Sequence, residues 1–129
     1  MIDGVVRPTT APSLRTLVVW LPILRGDDAA AAARAVRRYE VPGVSHYWDP
    51  GLALAEALGK ALALPPREVG RESGLAWDVY LLFDRGARWG APPTFWMHQL
   101  DGVPATIAPR LDVAILQARL AELVPTHRH

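Results

Sequence analysis

The 129-residue sequence contains no cysteine. That absence removes disulfide staples, thiolate metal sites and thiol nucleophiles together, and it leaves the redox compartment undetermined. Long apolar runs are also lacking: the longest, Leu17 to Leu24, falls far short of the roughly 20 residues that cross a bilayer as a helix. Met1 to Thr10 carries Asp3 and Arg7 where a signal peptide has its apolar stretch. These features predict a soluble, cytoplasmic protein. No charge of one sign dominates, since 14 basic against 13 acidic side chains give a net +1. No overall field therefore draws the chain to phosphate backbones or anionic lipid, and nucleic acid and membrane are excluded as expected partners. Gly43, Gly51 and Gly102 are isolated, with no glycine-rich phosphate loop. Ser13, Ser45 and Ser73 lack the strand-turn-helix context of a nucleophilic serine. Nucleotide and acyl-transfer chemistry drop out.

What remains is an ordinary globular composition, 50% apolar and 21% charged, at a length suited to one domain. Leu14 to Leu21 mixes β-branched and aromatic residues without polar alternation after Thr16, which predicts a strand buried on both faces. Asp27 and Asp28 precede the alanine-rich stretch Ala29–Tyr39, with Arg34, Arg37 and Arg38 toward its end. A carboxylate cap, high propensity and favourable dipole placement predict a helix there. Val41-Pro42-Gly43 breaks the chain, and Val44–Trp48 reads as a short strand.

Asp49-Pro50 signals the start of a second helix, in which Leu54, Leu58, Ala61 and Leu62 share a face and Glu56 pairs with Lys60. It should end near Leu64, before Pro65-Pro66. Ala76–Phe83 and Thr94–Leu100 predict an antiparallel hairpin joined by a long loop, and Arg110–Val124 a last helix. Residues 1–13 read as an N-terminal extension, 14–124 as the domain and 125–129 as a fraying tail. The expected class is α/β: a three-layer sandwich on one mixed four-stranded sheet, in the order strand, helix, strand, helix, strand, strand, helix.

Three stretches carry a resemblance: the strand Leu17–Leu24, His46-Tyr-Trp-Asp-Pro50 opening a helix, and Trp77–Phe83 leading into an Asp-Arg-Gly turn. From Leu14 to about Val124 the order of elements resembles a thioredoxin-like, or redoxin-type, domain. Members with thiol–disulfide activity open with a strand and a helix bearing a C-x-x-C pair, where the helix terminus lowers a thiol pKa. This sequence has neither that opening nor any cysteine, and no proline precedes Trp77 at Gly74-Leu-Ala where the family commonly places a cis-proline. The resemblance further implies a strand lying between those equivalent to Leu14–Leu21 and Trp77–Phe83. Without it, the two strands pair directly, or the Met1–Val6 segment or a partner subunit fills the gap. An unfilled gap exposes unpaired backbone, which makes a homodimer or another protein the expected partner. A start codon upstream of Met1 explains the missing opening equally well.

The candidate polar site comprises His46, Asp49, His98 and Asp78. His46 and Asp49 stand three apart, and the family's packing brings His98 toward them; imidazole and carboxylate together suit zinc. The alternative is structural, with Asp49 capping a helix and His46 satisfied by backbone. Asp78 lies inside an apolar strand, where a carboxylate needs a partner or a raised pKa. Of the five tryptophans, Trp20, Trp48 and Trp77 fall in predicted core strands, whereas Trp89 sits in the hairpin loop beside Arg85 and Arg88 as a candidate contact surface. The expectation is a redox-inactive thioredoxin-like binding or structural module with no catalytic residue, no metal and no cofactor. The alternatives are a thiol–disulfide oxidoreductase or peroxiredoxin-like protein lacking its catalytic opening and, more remotely, a metal-dependent enzyme.

Overall fold

In the computed structural model, which describes residues 1–9 and 11–125, the chain is a mixed α/β structure with two small sheets. The first sheet pairs β1 (Thr16–Trp20) with β2 (Val44–Trp48) in parallel, Thr16 opposite Val44 and Trp20 opposite Trp48. The crossover between them is α1 (Ala29–Arg38), whose start is set by Asp28: its Oδ1 accepts the Ala31 N–H at 2.7 Å. Arg37 and Arg38 occupy the last turn, where cations meet the negative end of the dipole. After α2 (Ala53–Ala61), the second sheet pairs β3 (Val79–Leu82) antiparallel to β4 (Phe95–His98). The last helix, α3 (Val113–Leu123), is capped by Asp112, which accepts the Ile115 N–H at 3.1 Å.

One mixed sheet of four strands was the expectation, but among the described residues β1–β2 and β3–β4 share no ladder. Local geometry supplies the reason. The far edge of β4 is occupied by the segment leading to α3: the His98 N–H donates to the Pro109 carbonyl at 3.2 Å, and the Leu111 N–H donates to the His98 carbonyl at 2.7 Å. On the other side the chain reaches β3 through Asp78 at φ 49°, a left-handed turn that delays the strand to Val79. Nor does Met1–Val6 fill a gap in the sheet. Ile2–Val6 is a short π-type turn packed against α3, with Val5 buried beside Leu116 and Leu120. The tail expected to fray, Thr126–His129, lies outside the described residues.

Burial is concentrated on the β3–β4 hairpin, which is covered on both faces. Strand alternation sends Tyr80, Leu82, Phe95 and Met97 toward the N-terminal turn and α3, and Val79, Leu81 and Trp96 toward Leu58, Leu62, Leu64 and Leu100. A run buried on both faces needs no polar alternation, which is why Val79–Leu82 carries no charged residue. The same inference fails for β1. Leu17 is 55% exposed, and on β2 Ser45 and Tyr47 are exposed while Val44, His46 and Trp48 are half-buried. Only one face of that sheet is covered.

The second helix is shorter than its pattern suggests. Pro50 and Gly51 lie in a turn closed by the Leu52 N–H on the Asp49 carbonyl, and Leu52 adopts φ 59°, so α2 begins at Ala53. It stops at Ala61 because Ala63 turns left-handed at φ 54°. The anticipated Glu56–Lys60 pair is not formed: Glu56 meets Arg71 at 3.2 Å and Lys60 lies 4.0 Å from Glu72. What fixes α2 is a backbone-to-backbone approach. The Ala76 N–H donates to the Ala55 carbonyl at 2.9 Å, and a Cβ at Gly59 would overlap the Gly74 carbonyl oxygen.

Helix propensity alone favours alanine over glycine by about 1 kcal/mol. At position 59 the sign should reverse, because relieving the overlap means moving backbone. Gly59→Ala is expected to lose about 1–3 kcal/mol in urea unfolding. A gain in stability would show that α2 and the 74–76 segment are not held in contact.

Candidate functional site

Each histidine of the candidate site is bonded through both ring nitrogens. On β4, His98 is fully buried; its Nδ1 accepts the Leu100 N–H at 3.0 Å, so its Nε2 carries the proton and donates to the Ala108 carbonyl at 3.2 Å. On β2, His46 Nδ1 accepts the Trp20 indole N–H at 3.1 Å and Nε2 donates to the Tyr39 carbonyl at 3.2 Å. Trp20 lies nearly parallel to both His46 and Tyr39, forming an aromatic cluster under α1. A metal needs a free imidazole lone pair, and in both rings that lone pair already accepts a hydrogen bond.

Asp49 is equally committed. Its Oδ1 accepts the Ala53 N–H at 3.1 Å and its Oδ2 the Leu54 N–H at 2.9 Å, neutralising two free donors at the start of α2. The four candidates divide between the sheets, His46 and Asp49 with β2, and Asp78 and His98 with the β3–β4 hairpin. Among the described residues, no three His, Asp or Glu side chains are grouped to hold a metal ion. Two surface grooves, of about 240 and 440 Å³, are lined by none of the four.

Asp78 is the most unusual of them. It stands in the left-handed region at φ 49°, where aspartate and asparagine are tolerated better than other side chains, and its carbonyl accepts the Gln99 N–H at 2.9 Å. Partial burial raises its carboxyl above the ordinary 3.8. Two residues on, the Tyr80 phenol is also raised, first by burial and then by the Asp78 charge, and it donates to Gln99 Oε1 at 2.5 Å. Sequence patterning missed this Asp78–Tyr80–Gln99 group. Period-2 alternation places Asp78 and Tyr80 on one face, but only the β3–β4 register brings Gln99 opposite.

The 84–93 loop holds the opposite kind of residue. The Ala87 N–H closes a turn on the Asp84 carbonyl at 3.1 Å, and the Ala91 N–H closes another on the Arg88 carbonyl at 3.0 Å. Gly86 and Gly90 take the left-handed angles these turns require, φ 81° and 88°. Trp89 stands between the turns, 88% exposed, with Arg85 and Arg88 exposed beside it. Among the described residues neither arginine forms a salt bridge.

His98→Phe keeps an aromatic ring, slightly larger than imidazole, but leaves the Leu100 N–H and the Ala108 carbonyl buried without partners. A loss of about 1–3 kcal/mol per orphaned group is expected in denaturant titration; wild-type stability would mean that neither bond matters. At Asp78 the sign follows from the raised carboxyl. As pH rises past 3.8 the unfolded chain deprotonates first, the folded state holds more protons, and stability falls until the folded group also ionises. Asp78→Asn should remove that downward slope and be more stable than wild type at neutral pH, whereas Asp78→Val, strained at this φ, should be less stable. Parallel stability–pH curves for wild type and Asp78→Asn would refute the burial cause.

Compared with known proteins, the chain matches no family model, no curated protein sequence and no solved structure.

Proposed function

We propose that this chain is a redox-inactive thioredoxin-like domain that acts as a binding module, with the Trp89 loop as its contact surface. One observation carries the reading: three of the four candidate residues, His46, Asp49 and His98, are spent on structure, while a tryptophan 88% exposed, beside two arginines that form no salt bridge among the described residues, is held at a loop tip. Catalysis needs a group free to touch a substrate, and His46, Asp49 and His98 each have their bonding capacity occupied by the chain itself. Recognition needs an anchor that loses water on contact, and tryptophan with arginine is the pair most often found in that role. The thioredoxin-like assignment draws support from a parallel β1–α1–β2 unit followed by an antiparallel β3–β4 hairpin and a terminal helix. In this reading the two sheets are halves of one mixed array whose intervening strand is missing.

Two measurements test the proposal. The purified chain should reduce insulin disulfides no faster than buffer, and turnover would overturn the redox-inactive assignment. Peptides selected from a random library on the wild-type protein should bind Trp89→Ala about 30-fold more weakly, the loss expected for truncating an interface anchor. Arg85→Glu with Arg88→Glu should weaken them too, and all three variants should unfold at the wild-type temperature. Undiminished binding by these variants, or a library that yields no binder, would overturn the role of the loop.

A further inference from the structure

Among the described residues, backbone groups on the outer edge of β1 have no hydrogen-bond partner. Its ladder to β2 uses the even-numbered residues: the Thr16 N–H donates to the Gly43 carbonyl at 3.2 Å, and the Trp20 carbonyl accepts the Asp49 N–H at 3.1 Å. Strand alternation then points the N–H and C=O of Leu17 and Val19 away from β2. Outside the β1–β2 ladder, no backbone hydrogen bond of either residue is found among the described residues. The segments expected to cover them are placed elsewhere, Ile2–Val6 against α3 and β3 against β4.

Monomeric proteins blunt such an edge with charge, proline or a bulge. Thr16-Leu-Val-Val-Trp20 has no charge and no proline, and its register with β2 is unbroken. The adjoining face is open: Leu17 and Tyr47 are each 55% exposed and lie, with the exposed Ser45, on the same side as Val19.

We propose that this edge is a homodimer interface, on which β1 of a second copy pairs antiparallel about a two-fold axis at Val18. The pattern of free groups fits that occupant. With the axis at Val18, Leu17 lies opposite Val19 of the second copy and Val19 opposite its Leu17, and each such pair exchanges both backbone bonds. The two Val18 residues meet at the closer, non-hydrogen-bonded spacing of about 4.5 Å, which suits a β-branched pair. Arg15 falls opposite Leu21 of the second copy, so like charges do not meet. Sliding the register one step puts Arg15 opposite Val19, or Leu17 opposite Leu21 beside Pro22, and either shift takes bonds outside β1. The interface is isologous, as a closed dimer requires. It joins two β1–β2 ribbons into a four-stranded sheet with Leu17, Val19 and Tyr47 of both copies on one continuous face.

Sedimentation equilibrium from about 1 to 100 µM tests this, a range that brackets the affinity expected of a short edge. The mass should rise with concentration from 14.1 kDa to twice that value. Val19→Pro removes an N–H that β2 does not use and should weaken association at least 10-fold. Leu17→Lys, an exposed substitution that leaves the core alone, should weaken it as well and decides the matter if the proline variant fails to fold. Amide exchange at Leu17 and Val19 should be slow at high concentration and fast after dilution. A single-chain mass across the range, unchanged association of Leu17→Lys, or dissociation caused instead by Trp89→Ala would overturn the proposal.

Discussion

His98 bonds four ways to the thirteen residues that follow it. Its ring engages the Leu100 N–H and the Ala108 carbonyl, and its own N–H and C=O engage Pro109 and Leu111. A β-strand, a tight turn at Asp101-Gly102 and the approach to α3 are thereby fixed relative to one another by a single fully buried residue. Burying an imidazole among apolar side chains is costly unless every polar atom is satisfied. Here each is, and no buried side-chain nitrogen or oxygen among the described residues lacks a partner. The position of α3, and with it the cluster around Met97, Leu116 and Leu120, follows from that arrangement.

The consequence is an uneven molecule. Both clusters of buried apolar residues are built on the β3–β4 hairpin, and neither contains a residue of β1, α1 or β2. The N-terminal βαβ unit is held by its ladder, by the buried Ala32 of α1 and Val41, and by the Trp20–His46–Tyr39 cluster. Aromatic and hydrogen-bonded contacts do in that half what apolar burial does in the other. Because hydrophobic stabilisation scales with area removed from water, the β1–β2 half should open at lower free energy than the hairpin half.

Local signals were legible where local physics decides. Asp28 and the alanines after it mark α1 correctly, and the Pro42-Gly43 breaker marks β2 to the residue, because capping and turn chemistry act within a few positions. Three things were not legible. Leu52, Ala63 and Asp78 adopt left-handed angles that sequence pattern does not signal, and these turns shorten α2 and β3. A continuous apolar run cannot distinguish a strand covered on both faces from one with an open side, so Leu14–Leu21 was read as buried on both faces although Leu17 is exposed. The candidate site shares this ambiguity. A lone histidine in Phe-Trp-Met-His98 signals a polar group that must be satisfied, but a ligand and a backbone carbonyl satisfy it equally well on paper. Asp49 was different: its place before Pro50 already argued for a cap, and its two bonds to α2 are caps.

The two exposed features of the surface make different physical demands. Trp89 asks only for an apolar surface, since an indole loses unfavourable hydration against almost any complementary partner, and its arginines then select by charge. The edge of β1 asks for more, because its outward N–H and C=O groups alternate at a fixed spacing that only another extended backbone reproduces. A side chain or small molecule can satisfy one such group and not the alternating set. Specificity for an extended backbone is therefore inherent in the edge. The loop and the edge lie on different sheets. Occupying one need not block the other, so a dimer built through β1 would present two Trp89 loops, and any partner able to reach both would bind with the gain in effective concentration that bivalence confers.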